Sequence, residues 1–307
     1  MKKTFEQYML KKMSVDNKII LLIADDMSQE LTEIEKKFPD RFVKVGIAEC
    51  NLVGMAVGFA RVGFKPVVYT YGCFLTYRAY EFVRDDVCIN SLNIKMVGVG
   101  SGVKVNTFGP SHHTTEDIAL LRSMPNLTLL CPASVKELPE VIESGLNFEG
   151  PVYIRIGRAF ETEVFEEKVP KFEIGKSNLI SEGKDLTIIS TGNIIANAIE
   201  ASNRLKSENV SCDIINLSSI KPLDSELILK SINKTHKVLT LEEHQKTGGI
   251  GSAIAEIIAE NNLDCSFKRM GFDDKFAYEY GWHKDILEAN GLSSDCVYKT
   301  IKQNFFN

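Results

Sequence analysis

Short apolar runs recur along this chain, and longer stretches of helical periodicity separate them. Runs rich in β-branched residues lie at Lys18–Ile23, Arg41–Val45, Pro66–Tyr69, Ile94–Val99, Leu127–Leu130 and Val152–Ile156. Most of them are apolar on both sides. Such a strand must be covered on both sides, as in a parallel sheet sandwiched between helices. Helical patterns fall between several runs, at Glu49–Val62, Thr76–Ile89, Glu116–Arg122 and Ser134–Asn147. The alternation predicts a three-layer α/β domain.

It breaks at Arg158–Ser177, a charged stretch with Pro170, Gly175 and weak periodicity, which reads as an interdomain linker. It then resumes. Strands are expected at Leu186–Ser190, Cys212–Leu217, Val238–Leu241 and Ser266–Arg269, with helices at Ile194–Glu208, Ser225–Asn233 and Ile250–Asn261. The fold class is therefore α/β, with two consecutive three-layer domains at 1–165 and 176–307 and a linker at 166–175. A chain of 307 residues suits that division. Each part is long enough to bury a core without a disulfide or a metal.

Charge and cysteine usage narrow the function. The formal net charge is -5 with both signs interspersed, and no basic block points to nucleic acid. No run reaches the ~20 apolar residues that span a bilayer. The opening MKKTFEQYMLKKMS reads as an amphipathic helix and not as a signal peptide. Cysteines stand at 50, 73, 88, 131, 212, 265 and 296, with no CxxC pair to suggest zinc or redox chemistry. Buried free thiols in a reducing cytoplasm are expected. No metal-ligating set is expected in this chain.

Three stretches carry candidate chemistry. Gly46-Ile47-Ala48-Glu49-Cys50-Asn51 follows an expected strand and opens a helix. Glu49 there either suits the helix macrodipole or presents a carboxylate at a strand end, where α/β folds bind ligands. In Tyr69-Thr70-Tyr71-Gly72-Cys73-Phe74-Leu75-Thr76-Tyr77-Arg78, four aromatics crowd a strand-to-helix turn. They are either core or a flat slot for a heteroaromatic ring. Gly109-Pro110-Ser111-His112-His113 is a turn before a helix, and its histidines either cap it or supply groups that titrate near neutrality. Gly248-Gly249-Ile250-Gly251 lacks the spacing of a dinucleotide loop, and structural roles are expected there and for Glu242-Glu243-His244.

In this order, the three stretches resemble the pyrimidine-binding domain of transketolases. The matching segments are GIAECN (46–51), TYGCFLTYRAYEFVRDDV (70–87) and GPSHHTTEDIALLRSMPNLTLLCPA (109–133). The likeness continues through EGKDLTIISTGNIIANAIEA (182–201) and LEEHQKTGGIGSAIAE (241–256), which resemble the family's C-terminal domain. It implies thiamine diphosphate as cofactor, with Mg²⁺. Glu49 matches the catalytic glutamate that bonds N1′ of the aminopyrimidine and so promotes loss of the thiazolium C2 proton. Tyr71, Phe74 and Tyr77 match the aromatic positions around that ring, with Arg78 as the alternative to Tyr77. His112 matches a residue that contacts the donor, and Arg158 one that binds substrate phosphate, a task suited to its fixed fork of donors.

Several positions depart from the family pattern. Cys50 replaces the usual glutamine, and the aromatic stretch is one residue longer around Tyr77. Phe108 stands where sugar transketolases carry an aspartate that reads a substrate hydroxyl. Gly100-Ser101-Gly102 lies where many carry a histidine, and Glu30 falls near a phosphate-binding serine. A carboxylate there would repel phosphate. Together these predict an altered sugar substrate.

Whole transketolases carry a GDG signature for Mg²⁺ and the diphosphate, and no GDG occurs here. The resemblance thus implies a separate N-terminal subunit that holds the diphosphate and the metal, in an α₂β₂ assembly with two of these chains at its core. The expected activity is transfer of a two-carbon ketol unit between sugars or sugar phosphates, in the cytoplasm and away from membranes. Alternatives are the beta subunit of a 2-oxoacid dehydrogenase decarboxylase, half of a deoxyxylulose-phosphate synthase, and a non-catalytic scaffold.

Overall fold

In this computed structural model, residues 1–25, 28–165 and 169–306 are described. The N-terminal unit runs through α1 (Lys2–Val15), β1 (Ile19–Ile23), α2 (Gln29–Lys37), β2 (Phe42–Lys44), α3 (Glu49–Arg61) and β3 (Lys65–Tyr71). It continues with α4 (Tyr80–Phe82), β4 (Lys95–Val99), α5 (Asp117–Arg122), β5 (Thr128–Leu130), α6 (Leu138–Asn147) and β6 (Val152–Ile156). Its strands pair in parallel, in the order β5-β6-β4-β3-β1-β2.

The apolar runs are explained by what each face meets. In β1, Ile20 and Leu22 enter one core cluster, whereas Ile19, Leu21 and Ile23 enter another on the opposite face. Met96 and Val97 in β4, and Tyr153 and Ile154 in β6, divide the same way. Successive side chains of a strand point to opposite faces. With α3 and α5 on one face and α1, α2 and α6 on the other, neither set can be polar. Local signals set the helix ends. Ser28 caps α2 by accepting the Leu31 N–H at 3.0 Å, and Lys36 and Lys37 sit in its last turn, where cations suit the dipole.

The C-terminal unit comprises β7 (Asn178–Ser181), β8 (Leu186–Ser190), α7 (Ile195–Lys206), β9 (Cys212–Asn216), β10 (Ser219–Lys221), α8 (Ser225–Thr235), β11 (Lys237–Gln245), α9 (Ile250–Glu260), β12 (Ser266–Phe272), α10 (His283–Ala289) and α11 (Ser294–Phe305). Its sheet has the order β12-β11-β8-β9-β7, with β7 antiparallel to β9 and the rest parallel. Strand β10 does not join it. It pairs antiparallel with β5 and extends the first sheet to seven strands. One core cluster accordingly contains Ile189, Ile215 and Ile254 together with Leu52 and Met96.

One expectation needs correction. The segment 76–89 is not one α-helix: it winds as π-helix over Phe74–Arg78, α4, and π-helix again over Val83–Cys88. A π-turn holds one more residue than an α-turn, which gives the extra residue near Tyr77 a place. Strand β10 crosses back from the second unit to the first sheet. Residues 161–165 and 169–177 carry no strand or helix, and 166–168 of the proposed linker lie outside the described residues.

Candidate active site

The three motifs converge at the C-terminal ends of β2, β3 and β4. Gly46 takes a positive φ of 82° as the chain leaves β2, and Glu49 opens α3. The Glu49 side chain is 2% exposed. Its Oε2 lies 2.5 Å from Arg78 Nη1 in the π-helical turn. The Arg78 guanidinium also lies over the Phe74 ring, 4.8 Å from its centroid. The structure thus makes Arg78 the neighbour of Glu49. Tyr77 turns away: its hydroxyl donates to Glu116 at 2.5 Å and accepts the Glu116 N–H at 3.1 Å.

A ring cluster continues outward. Phe74 and Tyr71 meet edge to face with centroids 6.3 Å apart, and His112 stands edge to face with both, at 5.0 and 6.1 Å. Phe108 stacks on His112 at 4.7 Å. Ser111 Oγ lies 3.0 Å from His112 Nδ1 and fixes that side of the ring. Burial, and then the like charge of Arg158, lower the His112 pKa, so the imidazole is neutral at pH 7. Arg158 therefore belongs electrostatically to this neighbourhood.

The departures from the family pattern divide. Phe108 is in the cluster, and Gly100 borders it. Gly100 adopts φ +84°, and a Cβ there would stand 2.4 Å from Val105 Cγ2 and 3.6 Å from Tyr71 Cδ1, so no side chain fits. Glu30 lies elsewhere. It sits at the start of α2, 3.3 Å from Lys3 of α1, and belongs to that surface. The expected repulsion of substrate phosphate by Glu30 has no support in this placement.

Behind the cluster, a buried ion pair ties the units together. Arg155 of β6 donates from Nε to Asp117 Oδ2 at 2.8 Å, and from Nη2 to the carbonyls of Thr114 at 2.9 Å and Glu243 at 3.0 Å. Both partners are almost wholly buried. Their residue types alone give no sign of this link, because they lie far apart in sequence. The Gly248–Gly251 run also has a structural explanation. Glu242 accepts the N–H groups of Ile250 at 2.7 Å and Gly251 at 2.9 Å, and a Cβ on Gly249 would fall 1.9 Å from its Oε2. The anion seat at the start of α9 is filled by the chain's own carboxyl group.

The Arg78 guanidinium, a flat nitrogen-bearing group, lies on the Phe74 ring and donates to Glu49 there. Among the described residues, no group of three or more His, Cys, Asp or Glu side chains comes together to hold a metal.

Both units resemble known proteins. The family model for the transketolase pyrimidine-binding domain matches residues 1–160, and that for the transketolase C-terminal domain matches 175–296. One of the subunits of the apulose-4-phosphate transketolase of Phocaeicola vulgatus is 32% identical over 97% of this chain and 95% of its own length. The 1-deoxy-D-xylulose-5-phosphate synthase of Halothermothrix orenii is 40% identical over 89% of this chain, which corresponds to 43% of that longer protein. A solved structure described as a split-gene transketolase, inactive beta4 tetramer, superposes with a TM-score of 0.90 at 33% identity, covering 99% of this chain and 97% of that one.

Proposed function

The chain belongs to the transketolase family, and from that footing we propose that it is the pyrimidine-side half of a two-subunit, thiamine-diphosphate-dependent enzyme moving a two-carbon ketol unit between sugars or sugar phosphates. Glu49 carries the reading: a buried carboxylate at a strand end, facing an aromatic slot that holds a planar nitrogen group. When bound, thiamine diphosphate supplies the nucleophilic carbon and the electron sink. Glu49 holds a proton at its Oε atom against the ring nitrogen and so biases the ring's tautomer. Arg78 must leave the Phe74 face to admit that ring, and its half-exposed side chain is free to swing outward. Tyr71 and Phe74 wall the slot. Neutral His112, held at Nδ1 by Ser111, offers Nε2 to the substrate.

A diphosphate-binding partner subunit completes the site, holding Mg²⁺, in an α₂β₂ assembly. The beta4 neighbour is a precedent for self-association of such a chain. No helix among the described residues is long and apolar enough to cross a membrane. With all seven cysteines free, we place the enzyme in the cytoplasm. Phe108 offers no hydrogen-bond acceptor on the outer face of His112, so the preferred sugar is one that needs no aspartate there. A substrate screen in which ordinary ketopentose phosphates prove best would overturn that assignment. The 40% identity to a deoxyxylulose-phosphate synthase favours a second reading, and assaying for formation of 1-deoxy-D-xylulose 5-phosphate separates the two.

The test is calorimetric titration of thiamine diphosphate and Mg²⁺ into this chain alone and then with its partner, sought in the adjacent reading frame. Tight binding only in the mixture is expected. Equally tight binding by the chain alone contradicts the split site.

A further inference from the structure

Of the β11 motif Glu242-Glu243-His244-Gln245, Glu242 closes the start of α9, whereas the other three residues reach into the first unit and meet one loop. A bridge closes that loop over residues 103–113: the Gly102 N–H donates to the Thr114 carbonyl at 3.0 Å, and the Thr114 N–H donates to the Gly102 carbonyl at 2.8 Å. The loop carries Phe108 and His112, stacked with ring centroids 4.7 Å apart. Both of its feet stand on β11. At the first foot, Glu243 Oε1 accepts the Val103 N–H at 2.7 Å. At the second, the Gln245 N–H donates to the Thr115 carbonyl at 2.7 Å, and the Ala119 N–H donates to His244 Nε2 at 3.2 Å. Arg155 spans the seam through its bonds to the carbonyls of Thr114 and Glu243.

Glu243 is built for this contact. Its side chain is 6% exposed, and His283 Nε2 lies 2.9 Å from the oxygen that holds Val103. A Cβ on Gly102 would fall 2.3 Å from the same oxygen, so glycine there leaves the carboxylate its seat. A buried polar network whose members are bonded holds a single geometry.

We propose that Glu243 is a positioning residue for the transfer reaction: by pinning the Val103 foot of the loop, the C-terminal unit sets where the His112 imidazole stands. The inference rests on the reading of His112 as the group offered to the substrate.

The first readout is the His112 ring-proton resonance in the NMR spectrum of the full chain, displaced by the face of Phe108 and assigned by its loss in His112→Ala. Glu243→Ala should move it toward the position of a solvated histidine, as the stack loosens. Glu243→Gln, whose amide oxygen still accepts the Val103 N–H, should hold it in place. Ser231→Ala removes a buried hydroxyl bonded to Thr187 and Asp213 at the other end of the second sheet. It should lower stability and leave the resonance unmoved, as would Glu243→Ala were its role structural alone. Gly102→Ala displaces the same carboxylate from the loop side, a second route to the moved resonance should Glu243→Ala fail to fold. In the assembled two-subunit enzyme, Glu243→Ala should lower kcat/KM about tenfold to a hundredfold, as small misplacements near the chemistry do. In the His112→Ala background the same substitution should cost less than about twofold, because residues acting through one another are not additive. An unmoved resonance in folded Glu243→Ala or Gly102→Ala, or as large a movement in Ser231→Ala or Glu243→Gln, would overturn the proposal. A crippled His112→Ala with a fully additive loss in the double variant would overturn the proposal alone. Near-normal turnover in His112→Ala would overturn the reading of His112 and this proposal with it.

Discussion

Replacing Glu49 by glutamine separates the fold from the chemistry at this site. The structural loss is small. Arg78, the partner of Glu49, is 45% exposed and is rehydrated when the pair is broken, while the amide left in place of Glu49 carries no buried charge. The amide oxygen still accepts a hydrogen bond from the guanidinium, so unfolding stability should fall by less than ~1 kcal/mol. The functional loss is large, because an amide cannot hold and return the proton. Removing a positioned acid–base group costs about 10²–10⁴ in rate. That equals about 3–5 kcal/mol of transition-state stabilisation, at ~1.36 kcal/mol per decade. The assay is ketol transfer by the assembled two-subunit enzyme, with a urea melt and a cofactor titration on the same preparation. Near-normal turnover in a variant that folds and binds cofactor would refute the role given to Glu49. A collapse of stability would refute the account of its ion pair.

Arg155→Met should lower stability by about 3–5 kcal/mol, because it strands the buried Asp117 carboxylate and uncovers two carbonyls. Urea midpoints measure it, and the double variant with Asp117→Asn should recover part of the loss; a single-variant loss under ~1 kcal/mol contradicts the assignment. His112 should titrate below the ordinary histidine value in an NMR experiment, since burial and Arg158 both disfavour its charged form. Arg158→Gln removes the like charge, so the midpoint should move upward and the contact made by the neutral ring should be lost at a higher pH as acid is added. An unchanged midpoint would mean that Arg158 does not act on His112.

The central strands and the ring cluster are legible in the sequence because each follows from local pattern. The run Ile19–Ile23 is apolar at every position, which only a doubly covered strand requires. Glu49, Tyr71, Phe74 and His112 sit in three motifs whose order matches a known family, and the structure brings all four together. Sequence alone does not choose between Arg78 and Tyr77, because a helix of ordinary pitch gives no reason to prefer either. The π-turn sets Arg78, and not Tyr77, beside Glu49, and its signal is the single extra residue. Strand β7, at Asn178–Ser181, gives no clear pattern because it is short, half-buried and antiparallel at an edge. Strand β10 spans three residues whose partner lies in the other unit, and no local pattern encodes that. Helix α2 buries only Leu31 and Ile34, so little apolar pattern marks it in the sequence. In α11, Val297, Ile301 and Phe305 recur at every fourth position, so that helix could have been read.

The return of β10 to the first sheet bears on how the gene can be cut. A fragment ending in the segment between the units would leave the side of β5 that pairs with β10 unpaired, with backbone donors and acceptors open to any passing strand. It would also uncover the apolar residues that now pack against Leu217 and Ile220. Such a piece would be prone to aggregate, however well its own motifs were preserved. Domain shuffling has no clean joint here, and the smallest portion of this chain that can be moved between proteins intact extends at least through Lys221.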